Sequence, residues 1–142
     1  MITPTRVLRP NFEKRGGLVT VVAQDSKTKE VLMVAYTDEA GWLKTLKTGL
    51  GSYYSTSRQK SWVKGEESGN FQKVVAILID CDGDALVYMV EPQGNKVACH
   101  TNARTCFYRS LFDERQICSA PGAGKDEELP YVEADVLVDL TS

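Results

Sequence analysis

Twenty residues in the second half of the chain, "KVVAILIDCDGDALVYMVEP" (73–92), limit the folds open to it more than any other stretch. The β-branched and apolar run 73–82 carries the strongest strand signal in the sequence. A second strand run follows at 84–92, and Gly83 stands at a turn or bulge between them. Further strand signals come at 17–24 ("GLVTVVAQ"), 31–36 ("VLMVAY") and 52–57 ("SYYSTS"). The first two flank the polar stretch 25–30, which predicts a hairpin. Between 37 and 52 the pattern turns helical. Thr37 or Asp38 suits the N-cap, Trp42, Leu43 and Leu46 form a narrow apolar stripe, and Gly49 suits the stop. Gly41 weakens that helix by about 1 kcal/mol relative to Ala, so it depends on packing. Residues 1–16 read as an irregular leader and 58–70 as a polar loop that binds something. The stretch 93–112 opens with a turn and ends in a possible helical segment. Residues 113–130 read as a flexible connector, and 131–140 as a short amphipathic ending, strand or helix. There are no internal repeats. Strands outnumber helices, so the fold is mainly β with one or two helices.

The chain has 142 residues, enough for one domain with a core of its own. A net charge of −2 rules out the global basic field of a nucleic-acid binder, although a local basic patch can still take a phosphorylated metabolite. No apolar run reaches the length of a membrane span, and the N-terminal stretch lacks the apolar core of a signal peptide. The expected location is the cytoplasm, where the four cysteines stay reduced.

Chemistry concentrates in two places. The first is "DCDGDA" (80–85). In an extended chain Asp80 and Asp82 share one face, Asp84 lies near them if Gly83 permits, and Cys81 points the other way. Oxygen clusters suit Mg²⁺ and thiolates suit Zn²⁺, so one short segment can serve two metals. A solvated acidic turn is an even alternative for a bare D-x-D-x-D. A calcium loop is excluded, because its sixth position needs Gly and holds Ala85. The second place is "CHTNARTC" (99–106). Cys81, Cys99 and Cys106 together suggest three protein ligands and an open fourth position, the layout of a catalytic zinc. His100, the only histidine, adjoins Cys99 and is the candidate general base. Cys118 reads as incidental. A zinc nucleobase deaminase is excluded, since neither H-x-E nor P-C-x-x-C is present.

Taken together, "DCDGDA", "ACHTNARTCF", "SRQKSWVKGEESGNFQKV" and the upstream "VAQDSKTKEVLMVAYTDEA" resemble the phosphoribosyl-AMP cyclohydrolase family of histidine biosynthesis. The resemblance covers roughly residues 11–112, expected as the cyclohydrolase domain (1–112 with its leader), and leaves 113–142 as connector and tail. It implies a zinc- and magnesium-dependent homodimer that hydrolyses the N1–C6 bond of the adenine ring of phosphoribosyl-AMP. The fold expected is then α+β, mainly β, a mixed or antiparallel sheet with a barrel-like core and one or two short helices. Carried over by motif, Asp80, Asp82 and Asp84 are the magnesium ligands. Cys81, Cys99 and Cys106 are the zinc ligands, with Cys81 from the other subunit. His100 is the catalytic proton carrier. Arg58, Lys60 and Lys64 are candidates to hold phosphate, Ser55, Ser57 and Ser68 to add hydrogen bonds, and Trp62 to stack on the base or simply to pack. Neither nucleic acid nor membrane is an expected partner. With no helical, acid-rich pyrophosphatase domain following, the single-activity form is expected. Three departures stand out: "KGEESGN" where the family often ends in His, "CHTN" for "CHTG", and Tyr54 for Trp. Asn70 cannot exchange a proton near pH 7. The alternative is therefore a non-catalytic nucleotide-binding homologue.

Overall fold

A computed structural model describes residues 5–112, 116–123 and 129–136. Six strands, β1 (Val19–Asp25), β2 (Val31–Thr37), β3 (Ser52–Ser55), β4 (Lys60–Val63), β5 (Gln72–Ile79) and β6 (Ala85–Pro92), form one curled sheet in the order β4-β3-β2-β1-β6-β5. The β1–β6 pair is parallel and the other pairs are antiparallel, so the sheet is mixed as expected. The predicted hairpin is β1–β2, and a bulge at Ala23/Gln24 bends it. The sheet curls until its ends meet at one corner. There Gly51 N donates to Gln72 O at 2.9 Å, Val74 N donates to Gly49 O at 2.8 Å, and Leu50 bridges Lys73. The result is a half-barrel pinned at one edge, which removes part of the exposed strand edge.

Alternation decides what the curl encloses. Val19, Val21 and Ala23 of β1 point inward and are fully buried, as are Tyr88 and Val90 of β6 and Tyr53 of β3. Burying one Val or Leu side chain of this kind contributes about 1.5–3 kcal/mol. One helix, α1 (Glu39–Thr48), runs from its N-cap Asp38, whose side chain accepts the Gly41 N–H, to a left-handed Gly49 at the stop. Its buried face is Gly41, Trp42 and Thr45, whereas Leu43 and Leu46 are exposed. Of the expected stripe, Trp42 is therefore buried as predicted, whereas Leu43 and Leu46 face outward. Thr45 takes the inward place because its hydroxyl accepts from Ser52 N at 3.0 Å and donates to Gly41 O at 3.1 Å. Gly41 is needed for closeness, since a Cβ there would meet Thr37 Oγ1 at 2.7 Å.

Four further expectations change. The leader is partly ordered, with a 3-10 turn over Phe12–Arg15 whose Phe12 is buried against Trp42, 5.8 Å between ring centroids. The polar stretch 58–70 contains β4, paired with β3, so only its outer parts are loop. Its residues are too polar to announce a strand; the pairing with β3 makes it one. Residues 93–112 hold turns and bends and no helix. The ending 131–140 shows no regular structure over 131–136, and its remainder lies outside the described residues. Among the described residues no helix is long and apolar enough to cross a membrane.

Candidate functional site

The acidic stretch does not stay extended. β5 stops at Ile79, and residues 80–84 turn through Gly83 in the left-handed region (φ 77°). Asp80 directs the turn: its Oδ1 accepts the N–H groups of Asp84 (3.0 Å) and Ala85 (3.2 Å). The carboxylates of Asp80, Asp82 and Asp84 thus converge by a turn and not by strand alternation, and their oxygens lie within 4.8 Å of one another. That donor set fits a hard divalent cation. Asp84 is buried, while Asp80, Asp82 and Cys81 are exposed.

Two cations missed in the sequence meet this cluster. Lys14 Nζ lies 2.5 Å from Asp82 Oδ2 and 3.4 Å from Asp84 Oδ2, and Arg15 Nε lies 2.9 Å from Asp84 Oδ2. Arg15 foremost, then the Asp82 and Lys14 contacts, holds the Asp84 carboxyl well below the usual carboxylate range. The leader is fixed there by the Asn11 N–H, which donates to Gly83 O at 2.7 Å. The only signal for this in the sequence is a cation pair beside two glycines.

The thiols sit elsewhere. Residues 98–106 form a compact loop in which Cys99 N donates to Ala103 O and Asn102 N to Cys99 O. Asn102 takes the left-handed conformation, φ 63°. The loop docks on the start of β2: Thr105 Oγ1 donates to Val31 O at 2.7 Å, Cys106 N to Leu32 O at 2.8 Å, and Arg104 forks onto Glu30. Arg104 holds the Glu30 carboxyl below its ordinary range. Cys99 is buried, Cys106 and His100 are exposed, and His100 Nδ1 is 3.9 Å from Cys99 Sγ. Lys64 joins them. Burial pulls its ammonium pKa down, and the neighbouring Cys106 and Cys99 thiols act the other way. Cys118 is not incidental to packing: with Ala120 it belongs to the small cluster around Cys99, Ala103 and Tyr108.

Register shows that one chain does not assemble the three thiols. Leu32, which holds Cys106, is level through β1 with Met89 and Tyr88 in the second half of β6. Cys81 precedes Ala85, the first residue of β6. At about 3.3 Å per residue, the two sites are on the order of 15 Å apart. Among the described residues, the one group of three metal-binding side chains close enough to share an ion is the Asp cluster.

The remaining candidates fall on the β3–β4 hairpin and the 64–70 turn that follows it. Ser55, Lys60 and Trp62 share the face of buried Tyr53, and Lys64 continues that row. Trp62 packs on Tyr53 at 5.3 Å between centroids. Ser57 and Arg58 lie on the β3–β4 turn, where Ser55 Oγ accepts from Arg58 N at 3.2 Å. Ser68 Oγ accepts from Asn70 N. Asn70 is buried, and its Oδ1 accepts from Asn95 N at 2.9 Å, tying the 64–70 turn to the 93–96 turn.

Fold and site define a mainly-β enzyme domain with an acidic turn at one end of its sheet and a thiol-bearing loop at the other. A family model for phosphoribosyl-AMP cyclohydrolase matches residues 33–108. A phosphoribosyl-AMP cyclohydrolase from Methanoregula boonei is 59% identical over 96 residues, covering 68% of this chain and 76% of that protein. One from Archaeoglobus fulgidus is 56% identical over 107 residues, covering 75% and 96%. A histidine biosynthesis bifunctional protein from Aquifex aeolicus is 52% identical over 105 residues, covering 74% of this chain and 50% of its own length. The chain belongs to the phosphoribosyl-AMP cyclohydrolase family, a family of hydrolases.

Proposed function

We propose that the chain hydrolyses the N1–C6 bond of phosphoribosyl-AMP in histidine biosynthesis, as a cytoplasmic homodimer that uses zinc and magnesium. The observation that carries this reading is the family match over residues 33–108, which contains each proposed site residue. Cys99, Cys106 and Cys81 of the partner subunit would hold zinc, which when bound would supply Lewis-acid activation of the attacking water. His100, beside Cys99, takes the proton of the attacking water and delivers it to N1 as the N1–C6 bond breaks. Oxygen ends on C6 and hydrogen on N1, leaving a carboxamide and a formamidine. Asp80, Asp82 and Asp84 would hold magnesium, which would supply positive charge for a substrate phosphate. Arg58 and Lys60 grip phosphate from the β3–β4 hairpin, with Ser55, Ser57 and Ser68 adding hydrogen bonds. Lys64 stands next to the thiols, where burial pulls its ammonium pKa down, and Trp62 closes the hairpin face over Tyr53.

The outer face of the sheet supports the homodimer. Leu78, Val87, Val22 and Val34 form one cross-strand row over β5, β6, β1 and β2. Ala85, Thr20, Tyr36 and Tyr54 form the next. Leu78, Val34 and Tyr36 are 56%, 50% and 45% exposed, so this apolar face lacks a cover in one chain. Cys81 lies just past the β5 end of the face, where a second copy can meet it. For the binding-only alternative the relevant residue is Asn70, and the hydrogen bond to Asn95 N gives that side chain a structural use in place of proton transfer.

The test is turnover of phosphoribosyl-AMP by the purified protein, with magnesium present, before and after zinc chelation. Turnover that chelation removes and zinc restores is expected. A folded, zinc-loaded dimer without turnover overturns the enzymatic reading in favour of the binding homologue.

A further inference from the structure

Lys14 and Arg15 reach the carboxylate turn from 65 or more residues away, and three features aim them there. The Asn11 N–H is fixed on Gly83 O, the Asn11 side chain accepts the Lys14 N–H at 3.2 Å, and Phe12 is sunk in the core. The cations therefore arrive on an anchored turn. Their contacts differ. Arg15 touches one oxygen of Asp84 from the side, whereas Lys14 Nζ bridges Asp82 and Asp84. An ammonium there occupies oxygens of two of the three carboxylates that a shared ion would use. Charge points the same way. Three carboxylates facing two cations keep one net negative charge, a poor match for a divalent ion. With Lys14 swung out and Arg15 retained, two remain.

We infer that Lys14 is a resident counter-cation of the carboxylate turn, and that a divalent metal enters by displacing its ammonium while Arg15 stays on Asp84. This rests on the reading of Asp80, Asp82 and Asp84 as a magnesium site. Lys14 is then a residue that sets metal affinity and keeps the turn closed when the ion is away. Its long, half-exposed side chain leaves with little disturbance to the turn that carries it.

Mn²⁺ binding to the zinc-loaded protein, followed by the EPR signal of free Mn²⁺, tests this for the wild type, Lys14→Met, Lys14→Arg and Asp82→Asn. Lys14→Met should bind Mn²⁺ at least about fivefold more tightly, the water-screened worth of the unit-charge ion pair at about 4 Å that the metal no longer has to break. Lys14→Arg, which keeps the charge, should stay near the wild type. A second readout is direct: acylation of Lys14 by an amine reagent, measured by peptide mass, should rise when Mn²⁺ is added. Unchanged or weaker binding in Lys14→Met, with Asp82→Asn still abolishing it, overturns the exchange while the metal site stands. Absence of stoichiometric Mn²⁺ binding in the wild type overturns both.

Discussion

At one end of β6 a single chain brings three carboxylates together and meets them with two of its own cations. At the other end the same chain holds Cys99, Cys106 and Lys64 against β2 and leaves Cys81 a strand's length away. The acidic end is assembled within one chain, by a turn shaped by the Asp80 side chain and a distant leader docked on Gly83. The thiol end gathers Cys99 and Cys106 on one docked loop without Cys81. On the proposed reading, Cys81 of the partner subunit completes the thiol end, and defects at the two ends should then behave differently.

The sharpest break at the thiol end is Cys99→Ser. It should lower turnover of phosphoribosyl-AMP by more than the roughly 10–100-fold typical of outer ligand partners and strip zinc, with the thermal transition little moved. Retained turnover in a zinc-free variant would remove zinc from the chemistry. Next comes a mixture of the inactive variants Cys81→Ser and His100→Ala under conditions that exchange subunits. If the site is shared, random pairing should restore about a quarter of wild-type activity, because half the dimers are mixed and each has one intact site. No recovery would place all ligands within one chain. A smaller effect comes from the docking of the thiol loop. Thr105→Val removes the hydroxyl bonded to Val31 O and should cost about 1–3 kcal/mol in denaturant unfolding. The smallest belongs to Arg104 and Glu30, an exposed pair. Because the folded carboxyl of Glu30 titrates below its ordinary value, the contribution is fully present above about pH 4.3 and fades as pH falls through the folded value. Arg104→Gln should therefore lose about 0.2–1 kcal/mol at pH 7, and the gap from wild type should narrow at lower pH. A gap that widens on acidification would show that Arg104 acts through something other than Glu30.

What was readable in the sequence follows the range of the interactions. β1, β2, β5 and β6 announced themselves through β-branched runs, and α1 through Asp38 and Gly49, because those signals are local. "KSWV" of β4 did not, since its strand character comes from pairing with β3. The inward turn of Thr45 over Leu46 is set by a bond to Ser52 that no helical period reveals. The site was legible as residue types and spacing. Its layout was not: the meeting of Lys14 with Asp82 spans most of the domain, and the separation of Cys81 from Cys106 depends on the parallel pairing of β1 with β6.

That parallel pairing has a consequence for how the chain is made. Val21 is matched with Leu86 and Ala23 with Tyr88, so the central seam of the sheet joins early residues to late ones. Until β6 has left the ribosome, β1 has a neighbour on one side only, and the inward Val19, Val21 and Ala23 have no completed core to enter. Nearly two thirds of the chain must be synthesised before the seam can close. Folding of such a topology is slow relative to one built from local pairs, and the nascent strands are exposed to aggregation in the meantime.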